Sequence, residues 1–515
     1  RCLSRAANHC FIVMLPVSDK SKPEHYGLRP NIGSRVAVID IGSNSVRLVV
    51  YEKNGRYPTP LFDERSNCQL GAQLDDTGHL KQDRIDATLA TITRFAAIIR
   101  AMDVSVCYPI ATAAVRRAKN GEAFYIPAEE ILDMAIHILS QEDEANYVAR
   151  GLTLNIPDAD GLVADLGGGS IEIVSLKKGV IRHGTSFNFG HLSDVNESEI
   201  TKALLSADWI AGRQAKRLYG VGGSFRAFGT AFFDRASYPL PVLHGTKIKA
   251  DFVRGLCEDF TKPIPNFDGV PASRQGSMPA AAKIVRALVK VSGVRQLVVS
   301  GTSIRDGVIA VNELNDAQRA DFLMVISQEI AEASGRFSGL SHALKLLLQP
   351  LSKINPTTAF SRLVEVACNL ADMCWHEHSD MRGDLAARRI LGLPVNCMTH
   401  KERVWLGVAL YHRYVGTKQN KPRPEELESL LGTRSRAEAV TIGLALRFAL
   451  IFAAGTTSSL RDIRFELDDK FLSLHVKKSA QSLFDGACAN RFKMLAHSAH
   501  DKKKCHNTSF RNHSH

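Results

Sequence analysis

The chain lacks the features that would place it in several large functional classes. Its ten cysteines are scattered, with no CxxC pair and no repeated spacing. That argues against a disulfide framework or a zinc site and fits free thiols in a reducing cytosol. No apolar stretch is long enough to cross a bilayer. Thr441 to Gly455 comes nearest, but Arg447 interrupts it, so it reads as a buried helix. The run Phe11 to Leu15 is too short for a signal-peptide core. There is no Gly-Lys-Ser/Thr phosphate loop and no dinucleotide fingerprint opening a helix. Aromatics are only 7% of the residues, and no basic stretch interleaves with them. Specific nucleic-acid binding is therefore not expected.

What is present is an ordinary globular composition, with 45% hydrophobic and 23% charged residues. The 515 residues suit about three domains of roughly 150 residues each. The net charge is +12. A positive field of this kind concentrates anionic ligands, although a solvated basic surface, including Lys502 to Lys504, gives the same sum.

The most informative pattern occurs twice. Asp40-Ile41-Gly42-Ser43-Asn44-Ser45 and Asp165-Leu166-Gly167-Gly168-Gly169-Ser170 each lie between two short apolar runs. Each reads as strand, tight polar turn, strand. A glycine-rich turn points backbone N–H groups into a small concavity that suits phosphate oxygens. An aspartate at the end of each first strand makes chemical sense if a hard cation such as magnesium lies between carboxylate and phosphate. One hexad alone is also an ordinary hairpin. Two in the same context predict a phosphate-handling cleft gripped from both sides.

Residues 1–34 read as a disordered leader. Strands and helices then alternate over 35–158 and again over 159–315, which predicts two similar α/β lobes made by duplication. Ile85, Leu89, Ile92, Ala96 and Ile99 form a stripe at helical spacing, predicting a helix over 83–102. Strand signals fade after 316, so 316–495 is expected to be mostly helical and 496–515 a disordered tail.

Three further clusters belong to the expected cleft. Ala111 to Val115 is a run of small residues ending at Arg116, which can fork two hydrogen bonds to a phosphate or simply open a surface helix. Ser140-Gln141-Glu142-Asp143-Glu144 carries three acids that complement a helix start. One of them could instead take a proton from water, and these residues alone do not single out Glu144. Gly220-Val221-Gly222-Gly223-Ser224-Phe225-Arg226 either lines the cleft or is a plain glycine turn. Glu172 points opposite to Ile171 and Ile173, so it need not be buried.

Taken in order with Ile304-Arg305-Asp306-Gly307-Val308-Ile309, these motifs resemble the exopolyphosphatase / guanosine pentaphosphate phosphohydrolase family of the actin, sugar kinase and Hsp70 ATPase superfamily. The resemblance implies an α/β fold of two ribonuclease H-like (actin-like) lobes around a cleft, followed by a mostly helical HD-like domain. It implies a magnesium ion and hydrolysis of the terminal phosphate of inorganic polyphosphate. It places Glu144 on the catalytic base and Asp40, Asp165 and Glu172 on metal-associated positions. Ser43, Asn44, Arg116, Gly168, Gly169 and Ser170 fall on phosphate-contacting segments, beside the Gly222, Gly223, Ser224 cluster. A cytoplasmic homodimer with no membrane association is the implied setting. Guanosine pentaphosphate is the rival substrate, and a kinase of the same superfamily or a non-enzymatic polyphosphate sensor are rival functions. The family usually has Gly at Gln141 and Thr at Ile171. The His-Asp doublet of an HD site would fall at Ala371-Asp372 and is broken, so His376, His378 and His412 read as surface and core histidines rather than ligands.

Overall fold

A computed structural model describes residues 34–53, 58–211, 215–262, 270–417, 429–468 and 471–500. The leader expected over 1–34 lies outside them except for Ser34, which opens the first strand. The first lobe is built on β1 (Ser34–Ile41), β2 (Val46–Lys53), β3 (Thr59–Ser66), β4 (Val104–Ala111) and β5 (His137–Ile138), in the sheet order β3-β2-β1-β4-β5. The second uses β6 (Gly161–Leu166), β7 (Ile171–Lys177), β8 (Val180–Phe187), β9 (Arg217–Val221), β10 (Thr246–Lys249) and β11 (Gln296–Val299), in the order β8-β7-β6-β9-β11-β10. Each sheet begins with an antiparallel meander of three strands. Each then adds two strands parallel to the first. This is the expected pair of actin-like lobes.

Strand periodicity decides what faces the space between the lobes. Ala37, Ile39 and Ile41 enter the outer core of the first lobe. Leu162, Ala164 and Leu166 enter that of the second. The alternate residues, Val36, Val38, Val163, Val174 and Val221, pack together in a core shared by both sheets. Side chains two apart share a face, so Asp40, Asp165 and Glu172 continue these inward rows.

Two helices fill the shared layer. Gln141–Asn155 and Ile304–Asn312 contribute Val148, Leu152, Val308 and Ile309 to it. They cross almost backbone to backbone. A Cβ on Gly307 would lie 1.8 Å from the Tyr147 carbonyl oxygen, and one on Gly151 would lie 2.8 Å from that of Ser303. No larger residue fits at either crossing point without moving a helix.

The predicted helix over 83–102 is present as Gln82–Ala101, with Ile85, Ile92, Phe95 and Ile99 buried. The region after 316 is mainly helical, and its core also takes in Leu154, Leu240, Ala310 and Leu314. It also holds a hairpin, Ile463–Leu467 with Leu472–Val476, which the fading strand signals concealed. The run read as a buried helix, Thr441 to Gly455, is helical as far as Phe452, where the helix Thr433–Phe452 ends. Among the described residues no helix is long and apolar enough to cross a membrane. The tail expected from 496 is corrected in part, because the last helix continues to His500. Cys488, Phe492, Leu495 and Ala496 form a buried stripe within an otherwise polar segment, and it anchors that turn.

The helix crossing gives a prediction on stability. Gly307→Ala should lose about 1–3 kcal/mol through overpacking. Gly255→Ala, in a helix where an added Cβ meets nothing within 4 Å, should gain about 0.5–1 kcal/mol. Denaturant unfolding of the two variants measures the contrast.

Candidate active site

The two hexads fold into equivalent turns that meet. Gly42 N donates to Ser45 O at 3.1 Å, and Gly167 N donates to Ser170 O at 3.0 Å. A Cβ on Gly168 would lie 3.4 Å from Ser43 Cβ, and one on Gly169 would lie 3.7 Å from Ser43 Oγ. The turns face each other across a cleft of about 170 Å³. The third glycine cluster joins them as strand β9 passes into the helix Gly223–Ala236. Gly222 has φ 94°, and a Cβ there would come within 2.7 Å of Asp165 Oδ1, so glycine is needed both for conformation and for space. The first turns of that helix and of Ile304–Asn312 line the cleft, where free N–H groups favour anions.

The acids are crowded, with Glu144 buried and Asp40 and Asp165 half-buried. Asp40 accepts from Arg305 Nη1 at 2.5 Å. Burial, reinforced by the charge of Asp40, pushes the Asp165 carboxyl up to about 6. Glu144 lies on the inward face of its helix. Burial pushes it up to about 7 against the opposing hydrogen bond from Arg116. Arg116 Nη1 donates to Glu144 Oε2 at 3.0 Å and to the Leu139 carbonyl at 2.7 Å. Its neighbours have other tasks: Asp143 closes a capping box with Ser140, and Glu142 is exposed.

Five arginines surround these acids. Arg47, Arg65, Arg226, Arg274 and Arg305 all line the cleft. Arg47 pairs with Asp63, its Nε donating at 2.6 Å. Burial, then the charges of Arg305 and Arg47, lowers the Arg226 guanidinium to about 10. A small cleft lined by backbone N–H groups, guanidinium groups and ionisable carboxylates is chemically suited to phosphoryl groups.

Residues 48–316 match the family described as the Ppx/GppA phosphatase family, and residues 304–505 match the one described as exopolyphosphatase, C-terminal. The chain belongs to the Ppx/GppA phosphatase family. A family relative, guanosine-5'-triphosphate,3'-diphosphate pyrophosphatase of Pseudoalteromonas atlantica, is 26% identical over 289 residues, 53% of this chain. The match spans only 57% of that relative's length. An exopolyphosphatase structure from Cytophaga hutchinsonii is 19% identical with a TM-score of 0.50, covering 55% of this chain and 99% of that one. A Ppx/GppA phosphatase structure from Aquifex aeolicus is 24% identical with a TM-score of 0.45, over 55% of this chain and 100% of that one.

Within this Ppx/GppA family chain, the residues proposed from sequence separate into two groups. Asp40, Ser43, Asn44, Glu144, Asp165, Gly168, Ser170, Gly222 and Gly223 line one cleft. Gly169 sits at its edge against Arg117, whose Nη1 donates to the Gly169 carbonyl at 3.4 Å. Arg116 contacts Glu144 rather than standing in the cleft wall. Ser224 is fully buried with its Oγ unpartnered, because the helix turns it inward one residue past Gly223. Glu172 is buried behind the cleft, accepting from Ser186 Oγ at 3.1 Å. It does point away from Ile171 and Ile173, but the helix Gln141–Asn155 covers that face, so alternation did not imply exposure. Burial, then Glu144 and Asp165, raises its carboxyl well above the usual range.

Among the described residues, no three His, Cys, Asp or Glu side chains converge as a metal cage. Magnesium is usually held by one or two carboxylates together with waters and substrate phosphates. Asp40 and Asp165, at the cleft and close enough to interact, fit that donor set. The helical region offers no second site at Asp372. Its carboxylate is taken by Arg336, at 2.7 and 2.9 Å, and by Arg413, at 3.2 Å. His412 is buried with Nδ1 2.6 Å from the Gly416 carbonyl, while His376 and His378 are exposed.

Arg305 and Arg226 stood inside quoted motifs without a role. Arg65, Arg274 and His191 came from segments with no motif. The raised carboxyl of Glu144 predicts a pH effect on the metal-free chain. A folded acid raised from 4.5 to about 7 keeps its proton longer than the unfolded one, so its contribution to stability is lost as pH rises through that window. Glu144→Gln should remove this loss. The difference in Tm between variant and wild type, followed from pH 4.5 to 7 in chelator, should grow in favour of the variant.

Proposed function

We propose that the chain is an exopolyphosphatase that hydrolyses the terminal phosphate of inorganic polyphosphate and releases orthophosphate. The observation that carries the reading is the contact of the two glycine turns around Asp40 and Asp165, with Glu144 dry and arginine-bound beside them. Phosphoryl transfer depends mainly on positioning and charge, and these groups supply both. Backbone N–H groups of the turns and of the two helix starts hold the terminal phosphate. Arg116 fixes Glu144 through a charge-assisted hydrogen bond. Glu144 takes a proton from water as the water oxygen bonds to phosphorus and the anhydride P–O bond breaks. Arg305 and Arg226, which line the same cleft, would offset negative charge on the departing chain. Asp40 and Asp165 would hold magnesium, which when bound supplies positive charge against the reacting phosphate.

Guanosine pentaphosphate is the second reading, and the Pseudoalteromonas atlantica relative's name favours it. Against it, no Phe, Tyr or Trp among the described residues lines the cleft to stack a purine. Orthophosphate release measured on both substrates with magnesium should be faster from long-chain polyphosphate. A reversed preference would move the assignment to the nucleotide. Glu144→Gln should lower kcat by about a hundredfold or more while polyphosphate binding changes little. Equal loss of both would remove Glu144 from the role of base.

A further inference from the structure

The second glycine turn is braced by a loop that brings a histidine into the cleft. His191 N donates to Gly167 O at 3.0 Å, and Leu192 N donates to Gly168 O at 2.9 Å. Gly190 passes so close that a Cβ there would lie 2.3 Å from Gly168 O. The loop is therefore seated backbone to backbone, and the His191 ring has little freedom: it is 4% exposed. Its Nε2 lies 2.8 Å from Arg274 Nη1. A guanidinium only donates, so Nε2 accepts and the ring is neutral with its proton on Nδ1. Burial and the Arg274 charge push its pKa down to about 4, which keeps the acceptor available at any working pH.

Arg274 in turn lies on the Gly223 backbone. A Cβ on Gly223 would meet its Nη2 at 2.4 Å. This places the guanidinium over the start of the helix Gly223–Ala236, in the same cleft as Arg65 and Arg226. Among the described residues none of these three arginines forms an ion pair with a carboxylate. Their charges act on one another: Arg65 lowers the Arg274 pKa, and Arg274 adds to the lowering at Arg226, in each case behind burial. Asp165 and Asp40 offset part of the charge on Arg226 and Arg65, but the half-buried Arg226 and Arg274 and the exposed Arg65 still repel one another, and a bound polyanion relieves that repulsion.

We propose that His191 is a positioning residue that holds Arg274 over Gly223, so that Arg274, Arg65 and Arg226 form a second anion subsite for phosphates of the chain behind the terminal one. The proposal rests on the phosphate-chain reading above. It adds that this wall, rather than the two glycine turns, sets affinity for the longer part of the substrate.

The test is steady-state orthophosphate release from long-chain polyphosphate with magnesium, for His191→Phe, His191→Gln, Arg274→Met and the double variant His191→Phe/Arg274→Met. Phe fills the space but cannot accept a hydrogen bond, whereas the Gln amide oxygen can. A lost hydrogen bond to a charged group corresponds to roughly tenfold or more. His191→Phe should therefore raise KM about tenfold with a much smaller fall in kcat. His191→Gln should recover most of the loss. Arg274→Met should match His191→Phe, and the double variant should add little, because both changes remove one unit. Additive effects, or a Phe variant no worse than the Gln variant, overturn the proposal. Calorimetric binding of polyphosphate in a Glu144→Gln background separates this inference from the hydrolase reading. A wild-type protein inert toward polyphosphate overturns hydrolysis, whereas affinity lost with Phe and kept with Gln still carries the subsite.

Discussion

The contact on which the site depends is the crossing of the helices Gln141–Asn155 and Ile304–Asn312. Gly151 and Gly307 let the two backbones approach until a methyl group has no room on either side. One helix carries Glu144 and the other carries Arg305. Their close approach, between two sheets that share a core, brings Arg305 onto Asp40 and sets Glu144 within electrostatic reach of both aspartates. A wider crossing would let water between the sheets. The carboxylates would then lose the desolvation that distinguishes them from surface acids.

The second organising feature is duplication with altered charge. In the first sheet Asp40 faces Arg47 across the hairpin, and in the second Asp165 faces Glu172 at the equivalent register. The same strand–turn–strand device therefore supplies a cation on one side and an anion on the other. Arg47 reaches the cleft, whereas Glu172 is buried against the central helix and gathers hydrogen bonds from Ser186 and Ser170. The symmetric backbone gives the cleft two matching glycine turns; the asymmetric side chains give it a polarity along its length.

Much of this was legible from residue pattern because strand periodicity and glycine turns are local properties. Asp40 and Asp165 follow inward-facing valines at a spacing of two, which fixes their side without tertiary knowledge. Glu144 was harder to isolate among three acids, yet a local signal was present. Ser140 with Asp143 forms a capping box, which assigns Asp143 to the backbone and leaves Glu144 in the helical row of Val148 and Leu152. Arg65, Arg274 and His191 could not be found this way. Each comes from a different segment with no motif, Arg65 from strand β3 of the first lobe and Arg274 and His191 from the second, and only the meeting of the two lobes brings them together. The final helical turn was hidden for another reason, since a stripe of four apolar residues is diluted by Lys, His and Ser around it.

The balance of charge within the chain also explains why chemistry is concentrated between the lobes. In the helical region Asp372 is enclosed by Arg336 and Arg413, with Trp375 lying 3.4 Å from the Arg336 guanidinium carbon. That carboxylate has bidentate and charge-assisted partners on both oxygens and no free lone-pair direction toward a cation. In the cleft the balance differs: burial, then neighbouring acids, raises Glu144, Asp165 and Glu172, and Arg65, Arg226 and Arg274 form no direct ion pair with a carboxylate among the described residues. A buried charge whose partner is absent is costly in the resting protein. On the proposed reading, a chain of phosphates would supply negative charge to these arginines along its length, and a cation carried with it would be shared by Asp165 and by Asp40 beside Arg305.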